Sequence, residues 1–375
     1  MLFDEIIGHE RVIEHLKSSV DRQKVSHAQL FSGPEGSGVL QVALAYAQYV
    51  LCSQSQNKEI CDKKIEDLNH PDLHFVYPVN TTTEVKSKPI SKDFISYWRE
   101  FISEDKYANI QDWYEKIGIE KKAGRIGVDE AADIVKSMTL KAYEGEFKVM
   151  IIWMPEFMNT QTANKLLKLI EEPTGKSLFI FVTEDDEAII KTILSRTQIV
   201  YFKRLSDENV QNYLVENLEL ESDKAADIAI RVGGNINKAR SLVLEDKDEG
   251  RFQELFVDWV RGSFKADIKM LIDWADLMAS NGKQFQINFL KYATRVFRQA
   301  LLENYEAKDL SFLKLEAKGF KFESFIKFVH GQNIFDLINE LDLAIFHLER
   351  NGNPRIILLD VSVKITRGLH KKYKV

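Results

Sequence analysis

A chain of 375 residues, 45% hydrophobic and 29% charged, has the composition of an ordinary globular protein with room for two or three cored domains. Its 51 basic and 57 acidic residues leave a net charge of −6, which argues against a strongly basic nucleic-acid binder but leaves room for a local basic face. No apolar run reaches a membrane span, the N-terminus lacks the shape of a signal peptide, and two cysteines suit a reducing compartment, so a cytoplasmic location is expected.

Ile13, Leu16 and Val20 recur at helical spacing between charged Glu14, Lys17 and Arg22, and predict a helix near the N-terminus. Residues 28–32 read as a short buried strand, and residues 41–51 as a helix with Val42, Ala43, Ala45, Tyr46 and Val50 on its apolar face. Between them stands Gly33-Pro34-Glu35-Gly36-Ser37-Gly38-Val39-Leu40. A strand, a glycine-rich loop and a helix in that order form a phosphate-binding loop, whose backbone N–H groups converge on an anion. Such a loop needs Lys and then Ser or Thr after its last glycine, for phosphate charge and for Mg²⁺. Val39 and Leu40 stand there instead.

Residues 52–72 read as a polar, loop-rich excursion. Cys52 and Cys61 lie near His70 and His74, but a structural zinc site needs four soft ligands and a tight Cys-x-x-Cys hook. Lys64 occupies the place of a partner for Cys61, so two unconnected thiols are expected. Residues 73–77 predict a second strand. Residues 78–125 depart from their surroundings, with Thr81-Thr82-Thr83, many Lys and Glu, then Trp98, Phe101, Trp113 and Tyr114. The stretch reads either as a helical insertion whose aromatics pack onto the domain or as a partner-binding excursion.

Residues 129–142 predict a helix with Ala132, Val135 and Met138 on one face, and residues 147–153 a strand buried on both sides. A helix over 162–172, with Leu166, Leu167 and Ile170 inward, is stopped by Pro173. A strand over 177–183, a short helix over 187–194 and a last strand over 198–202 follow. This alternation implies an α/β domain with a mainly parallel sheet over residues 1–205. ATP hydrolysis on such a sheet needs two carboxylates at a strand end, one for Mg²⁺ and one to orient the attacking water. The strand over 147–153 runs into Trp153-Met154-Pro155, with no acid until Glu156, so hydrolysis by this chain alone is not expected.

Ser206-Asp207-Glu208 resembles a helix cap before helices over 210–218 and 224–232, and Gly233-Gly234 punctuates before another over 236–244. From residue 251 onward only helical periodicity is visible: Phe252, Phe256 and Trp259; Leu271, Trp274 and Leu277; Phe289, Tyr292, Val296 and Phe297. The basic end, His370-Lys371-Lys372-Tyr373-Lys374, reads as a frayed tail. One exposed charge is well placed: Arg196, in Leu194-Ser195-Arg196-Thr197, between a helix and the last strand. From its residues alone it reads as a surface ion pair or as a finger aimed at a γ-phosphate held by another subunit.

Several patterns together resemble the clamp-loader branch of the AAA+ ATPases. They are Ile7-Gly8-His9-Glu10, His27-Ala28-Gln29-Leu30-Phe31-Ser32-Gly33-Pro34-Glu35-Gly36, His70-Pro71-Asp72, Asn164-Lys165-Leu166-Leu167-Lys168-Leu169-Ile170-Glu171-Glu172-Pro173 and Thr192-Ile193-Leu194-Ser195-Arg196-Thr197. Within that branch the resemblance is to the non-hydrolysing subunit of the bacterial DNA polymerase III loader. It is good over residues 1–205, moderate over 233–240, and rests in the C-terminal part on helical character and Gly352-Asn353-Pro354-Arg355. It implies an α/β P-loop NTPase-like (AAA+) domain at 1–205 with a degenerate nucleotide site, a small helical lid at 206–248 and an all-helical collar at 249–375. Arg196 would be the arginine finger acting in trans, flanked by Ser195 and by Thr197 in place of the usual Cys. Asn237 stands where active members carry a nucleotide-sensing lid arginine, and no cofactor of the chain's own is implied.

The family's four-cysteine zinc module is reduced to Cys52 and Cys61, with Lys64 and Asp67 at the other places, so zinc is not expected. The implied partners are gamma/tau-type ATPase subunits and a delta subunit, with the sliding clamp and primer–template DNA reached through the complex. The implied function is to help load the clamp onto primed DNA during replication. The rival readings are an ATP-hydrolysing motor subunit, opposed by Val39, Leu40, Trp153, Met154 and Asn237, and a free-standing DNA-binding protein, opposed by the net charge of −6.

Overall fold

The structure, a computed structural model, describes residues 2–120, 122–305, 320–350 and 352–371. Helix α1 (Glu10–Asp21) buries Ile13, Leu16 and Val20, as their spacing requires. Strand β1 (Ala28–Ser32) is buried at every position. Helix α2 (Val39–Cys52) is apolar nearly all round because almost every residue of it lies inside.

The excursion after α2 is not all loop. Helix α3 (Lys58–Glu66) folds back on α2 and buries Cys61 and Ile65. That return brings Cys52 and Cys61 to a Cα separation of 5.6 Å, and they are joined as a disulfide rather than standing as unconnected thiols. The reversal of direction between the two helices closes the gap, which linear spacing does not reveal.

Strand β2 (Leu73–Val76) leads to the insertion, which holds α4 (Ile95–Glu104) and α5 (Ile110–Lys116). Trp98, Phe101, Trp113 and Tyr114 are all buried, so these aromatics are core. Trp98 stacks on Tyr77 at 4.2 Å and meets Trp113 edge-on at 5.3 Å. Helix α6 (Val128–Thr139) buries Ala131, Ile134 and Met138. Its inward face is rotated from the expected one: Ala132 is exposed and Val135 half-buried, because Glu130 and Ser137 take inward positions that hydrophobicity does not mark.

Strand β3 (Phe147–Trp153), helix α7 (Thr160–Glu171), strand β4 (Lys176–Thr183), helix α8 (Lys191–Leu194) and strand β5 (Gln198–Tyr201) complete the α/β part. In α7, Leu166 and Ile170 are buried and Leu167 half-buried. The helix expected over 187–194 is split into a 3₁₀ turn at Asp186–Ala188, capped by the Asp185 side chain, and α8. The sheet order is β2-β3-β4-β1-β5, and every neighbouring pair is parallel. Alternate residues of β3 and β4 face opposite layers. Ile151 and Ile180 join α2 and the insertion, whereas Ile152 and Phe181 join α6 and α7. Because all strands point one way, Ser32, Trp153 and Thr183 meet at a single sheet edge, where the glycine loop emerges.

Helices α9 (Asp207–Leu218), capped by Ser206, and α10 (Ser222–Val232) follow. Helix α11 (Ile236–Lys265) then runs unbroken through 30 residues, although the sequence suggests a stop after 244. Its middle is rich in Glu, Asp and Lys, and Glu and Lys have helix propensity as good as that of most apolar residues, so a polar composition does not mark a break. By compactness the chain divides into two units, Met1–Leu242 and Val243–Val375.

The second unit shows no strand among its described residues. Helices α12 (Ile268–Ala279), α13 (Lys283–Asn304), α14 (Phe322–Phe325), α15 (Ile334–Glu349) and α16 (Pro354–Leu369) enclose a core that includes Phe252, Phe256, Trp259, Trp274, Phe289 and Tyr292. Leu277, expected inward, is 50% exposed, at the margin of the buried face formed by Leu271, Trp274, Ala275 and Met278. In the basic tail, His370 is held to the Thr366 carbonyl and Lys371 pairs with Asp336 at 2.7 Å; residues 372–374 lie outside the described residues. Among the described residues, no helix is long and apolar enough to cross a membrane.

Candidate functional site

The glycine loop leaves β1 at Ser32 and enters α2 through Gly38. Gly36 and Gly38 have φ of 70° and 85°, a region that side chains disfavour. Gly36 is also required by contact, since a Cβ there would lie 2.0 Å from Asn235 Oδ1. Asn235 caps α11 by accepting from the Lys238 N–H, and the Ile236 N–H donates to the Gly36 carbonyl at 3.1 Å. The start of α11 therefore sits directly on the loop. Beneath it, a ring nitrogen of His9 lies 2.9 Å from the Ser37 carbonyl, and burial lowers the imidazole's pKa.

The side chains that grip phosphate are replaced by packing. Val39 is buried in the core shared with α1 and the insertion, and Leu40 is half-buried against it. At the end of β3, Trp153 is 3% exposed, with its ring 5.3 Å from Trp98 and 5.9 Å from Phe101 of α4. Two carboxyls that follow strands at that edge, Glu156 after β3 and Glu184 after β4, have raised pKa values. Burial, with Asp185 adding to it, raises Glu156 to about 7. Glu184, an exposed residue whose carboxyl is partly desolvated by its surroundings, is also raised, with Glu35 and Glu156 adding to the shift. Carboxyls that hold protons near neutrality are weak cation ligands.

Little space remains above the loop. The cavity between Gly36, Gly38, Glu184 and the insertion's Lys106, Tyr107 and Ala108 is about 40 Å³. That admits a water or two, whereas small-molecule sites run to roughly 300 Å³ or more. Sequence reasoning did not identify the residues that close this space. They are Asp105, Tyr107, Asn109 and Asp112 on the insertion and Asn235 and Arg240 near the start of α11. The one available signal was the Asn109–Asp112 spacing of a capping box, which marks a helix start and says nothing of a cleft.

Arg196 lies at the other end of the sheet. Gln198 opens β5 and pairs with Gln29, near the start of β1, so the length of β1 separates Arg196 from the glycine loop by on the order of 15 Å. The guanidinium is exposed. Its Nε pairs with Glu171 at the end of α7, and its Nη1 donates to the Thr192 carbonyl at 3.0 Å and to Ser195 Oγ at 3.2 Å. Ser195 Oγ donates to the Thr192 carbonyl, and Thr197 Oγ1 to the Leu194 carbonyl at 3.2 Å. Ser195 and Thr197 thus shape the turn after α8, and Arg196 is presented on its outside.

His70-Pro71-Asp72 is used structurally. His70 Nδ1 accepts from the Asp72 N–H, and the Asp72 carboxylate accepts the N–H groups of Tyr143 and Glu144 at 2.6 and 2.8 Å. Among the described residues, no group of three or more His, Cys, Asp or Glu side chains is arranged to hold a metal ion.

A parallel sheet of order β2-β3-β4-β1-β5, with a glycine loop leading from an inner strand into a helix, defines a P-loop NTPase-like protein. Residues 8–206 match the family model described as DNA polymerase III, delta subunit, over more than half of the sequence, and the chain belongs to that family. DNA polymerase III subunit delta' of Bacillus subtilis is 27% identical over 242 residues, covering 63% of this chain and 60% of that protein. Subunit tau of the same organism is 23% identical over 399 aligned residues, covering 98% of this chain and 62% of that protein. The chain thus spans about three fifths of the length of these curated relatives. Among solved structures, a DNA polymerase III gamma subunit-related protein of Thermotoga maritima aligns with a TM-score of 0.41 at 16% identity, covering 95% of this chain and 98% of its own. The clamp loader delta protein of Bacillus subtilis aligns with a TM-score of 0.33 at 13% identity, covering 94% and 99%.

Proposed function

We propose that this chain is an ATP-inactive subunit of a cytoplasmic DNA polymerase III clamp loader, supplying Arg196 to the nucleotide site of a neighbouring ATPase subunit. The observation that carries the reading is the separation of the two candidate sites. The chain's own glycine loop lacks the Lys and Ser or Thr that follow it in a phosphate-binding loop and has no acid at the end of β3, while the exposed guanidinium lies at the opposite sheet edge, beyond reach of that loop. An arginine placed so can serve only a phosphate held by another molecule. Ser195 and Thr197 fix the turn that presents it. The partners would be gamma/tau-type ATPase subunits and a delta subunit, the second unit would serve as the helical collar that joins the ring, and the assembly would place the sliding clamp on primer–template DNA.

The test is the ATPase rate of the reconstituted complex on primed DNA with Arg196→Ala. A finger acting in trans is worth ~10³–10⁵ at one site, and less in a ring with several active sites. An unchanged rate would sink the assignment.

A further inference from the structure

Residues 105–112, the connection from α4 and the first turn of α5, touch the glycine loop, the lead-in before α1 and the helical segment 206–242 together. Tyr107 lies over the loop, its ring edge 3.1 Å from where a Cβ on Gly38 would stand, and its ring meets Tyr213 of α9 at 5.5 Å. Asn109 Nδ2 donates to Glu35 of the loop at 3.1 Å. Lys106 pairs with Glu5. On the helical side, Asn237 Nδ2 donates to Asp112 Oδ2 at 3.0 Å, and Arg240, one turn further along α11, pairs with Asp105.

Filling a core does not require this arrangement. Trp98, Phe101 and Trp113 already seal the insertion against β3 by aromatic packing, with Trp113 Nε1 donating to the Pro78 carbonyl at 2.8 Å. Within 105–112, Ala108 and Ile110 pack against that core, but Asp105, Tyr107, Asn109 and Asp112 point elsewhere, to the loop that would cradle phosphates and to the helices that would close over them. In a phosphate-binding loop the N–H groups at the helix start face the anion, so the space over Gly36 and Gly38 is where a phosphate chain would lie. Tyr107 and its neighbours take that space and leave about 40 Å³.

We propose that residues 105–112 are a built-in occupant of the nucleotide cleft, filling the phosphate space over Gly36 and Gly38 and latching α9, α10 and the first turns of α11 (residues 207–242) to the α/β layer through Asn237–Asp112 and Arg240–Asp105. The position of those helices is then set by the chain itself and not by nucleotide. The latch concerns the isolated chain and stands or falls without Arg196.

The test is hydrogen exchange of the full-length chain, resolved to peptides, with and without Mg-ATP, alongside titration of a fluorescent ATP analogue. The wild type should show no saturable binding and no change on adding Mg-ATP in residues 105–112 or 207–242. Arg240→Gln and Asn237→Ala, both substitutions of half-buried side chains outside the hydrophobic core, should each speed exchange in 207–232 by about 3-fold or more. Joined with Tyr107→Ala they should give about 10-fold or more, while peptides of β1, β3 and β4 stay protected. Unchanged exchange in the two single variants would overturn the latch. So would Mg-ATP binding by the wild type with faster exchange in 105–112. If the triple variant loses protection everywhere, the two single variants decide.

Discussion

Trp153 lies 5.3 Å from Trp98, so the end of β3 is joined to an aromatic cluster at the place where a hydrolysing relative of this fold needs a metal-binding carboxylate. The absence of that acid and the seating of the insertion are structurally coupled: Trp153 is the floor on which Trp98 and Phe101 rest. Restoring catalytic residues therefore should not restore a nucleotide site. Trp153→Asp should destabilise the fold by at least ~3 kcal/mol, from the lost aromatic packing and the buried charge. Val39→Lys with Leu40→Thr should bind no Mg-ATP by isothermal titration. Urea denaturation measures the first effect, and a wild-type midpoint for Trp153→Asp would contradict it.

The Cys52–Cys61 bond closes a short loop over α3. In the chain-entropy account, a loop of this length is worth roughly 2–3 kcal/mol relative to the open chain. The oxidised protein should therefore unfold at higher denaturant than the protein kept in dithiothreitol, and Cys61→Ser should match the reduced protein under both conditions. Thiol labelling of the denatured, unreduced chain should give no adduct, and two after reduction. Equal denaturation midpoints with and without reductant would contradict the stabilising role.

Glu130 gives the first unit a pH dependence whose sign can be worked out. It is 2% exposed and accepts the Ser91 N–H at 2.6 Å. Burial first, then Asp133 and Asp93, raise it from 4.5 to about 7. The folded state thus holds a proton that the unfolded chain has released between those values. The associated stability is complete below about 4.5 and is lost as pH rises through about 7. Glu130→Gln keeps an acceptor for Ser91 and removes the charge, so it should be more stable than wild type at pH 8 by on the order of 1–3 kcal/mol, with the gap closing near pH 5. His74, lowered to about 4, contributes the opposite slope between about 4 and 6.5 in both proteins and cancels in the comparison. A gap that does not change with pH would contradict the assignment.

Hydrophobic periodicity located all five strands to within a residue, because buried parallel strands are apolar runs bounded by turns. It missed α3 and mis-set the phase of α6 for a common reason. Cys61, Glu130 and Ser137 are buried without forming an apolar stripe. The emptied phosphate loop was legible from Val39, Leu40 and Trp153, since an absent side chain at a fixed spacing is a local fact. What closes the loop was not legible. Asp112 with Asn237, and Asp105 with Arg240, are pairs more than a hundred residues apart and typical of solvated polar surface until the fold brings them together. The cysteine pair failed in the same way, its reach set by the turn between two helices.

Glu171 and Arg196 form an exposed ion pair within this chain, joined by the Thr192 carbonyl and Ser195 Oγ. If Arg196 serves a neighbour's phosphate, Glu171 competes for the guanidinium when the subunits part and orients it when they meet. In the isolated chain the pair is screened by solvent, so Glu171→Gln should change stability by less than ~1 kcal/mol. In the complex, Glu171→Gln should move the apparent KM for ATP, or the salt dependence of the rate, and should leave more activity than Arg196→Ala. Arg196→Lys should restore little, because a single ammonium cannot reproduce the planar fork that bonds Glu171, Thr192 and Ser195 together. Thr197→Cys loses only one hydroxyl bond, to the Leu194 carbonyl, and should stay close to wild type in stability and rate. Should Glu171→Gln abolish activity as fully as Arg196→Ala while the chain remains folded, Glu171 would itself belong to the reacting site, and the division of roles drawn here would fail.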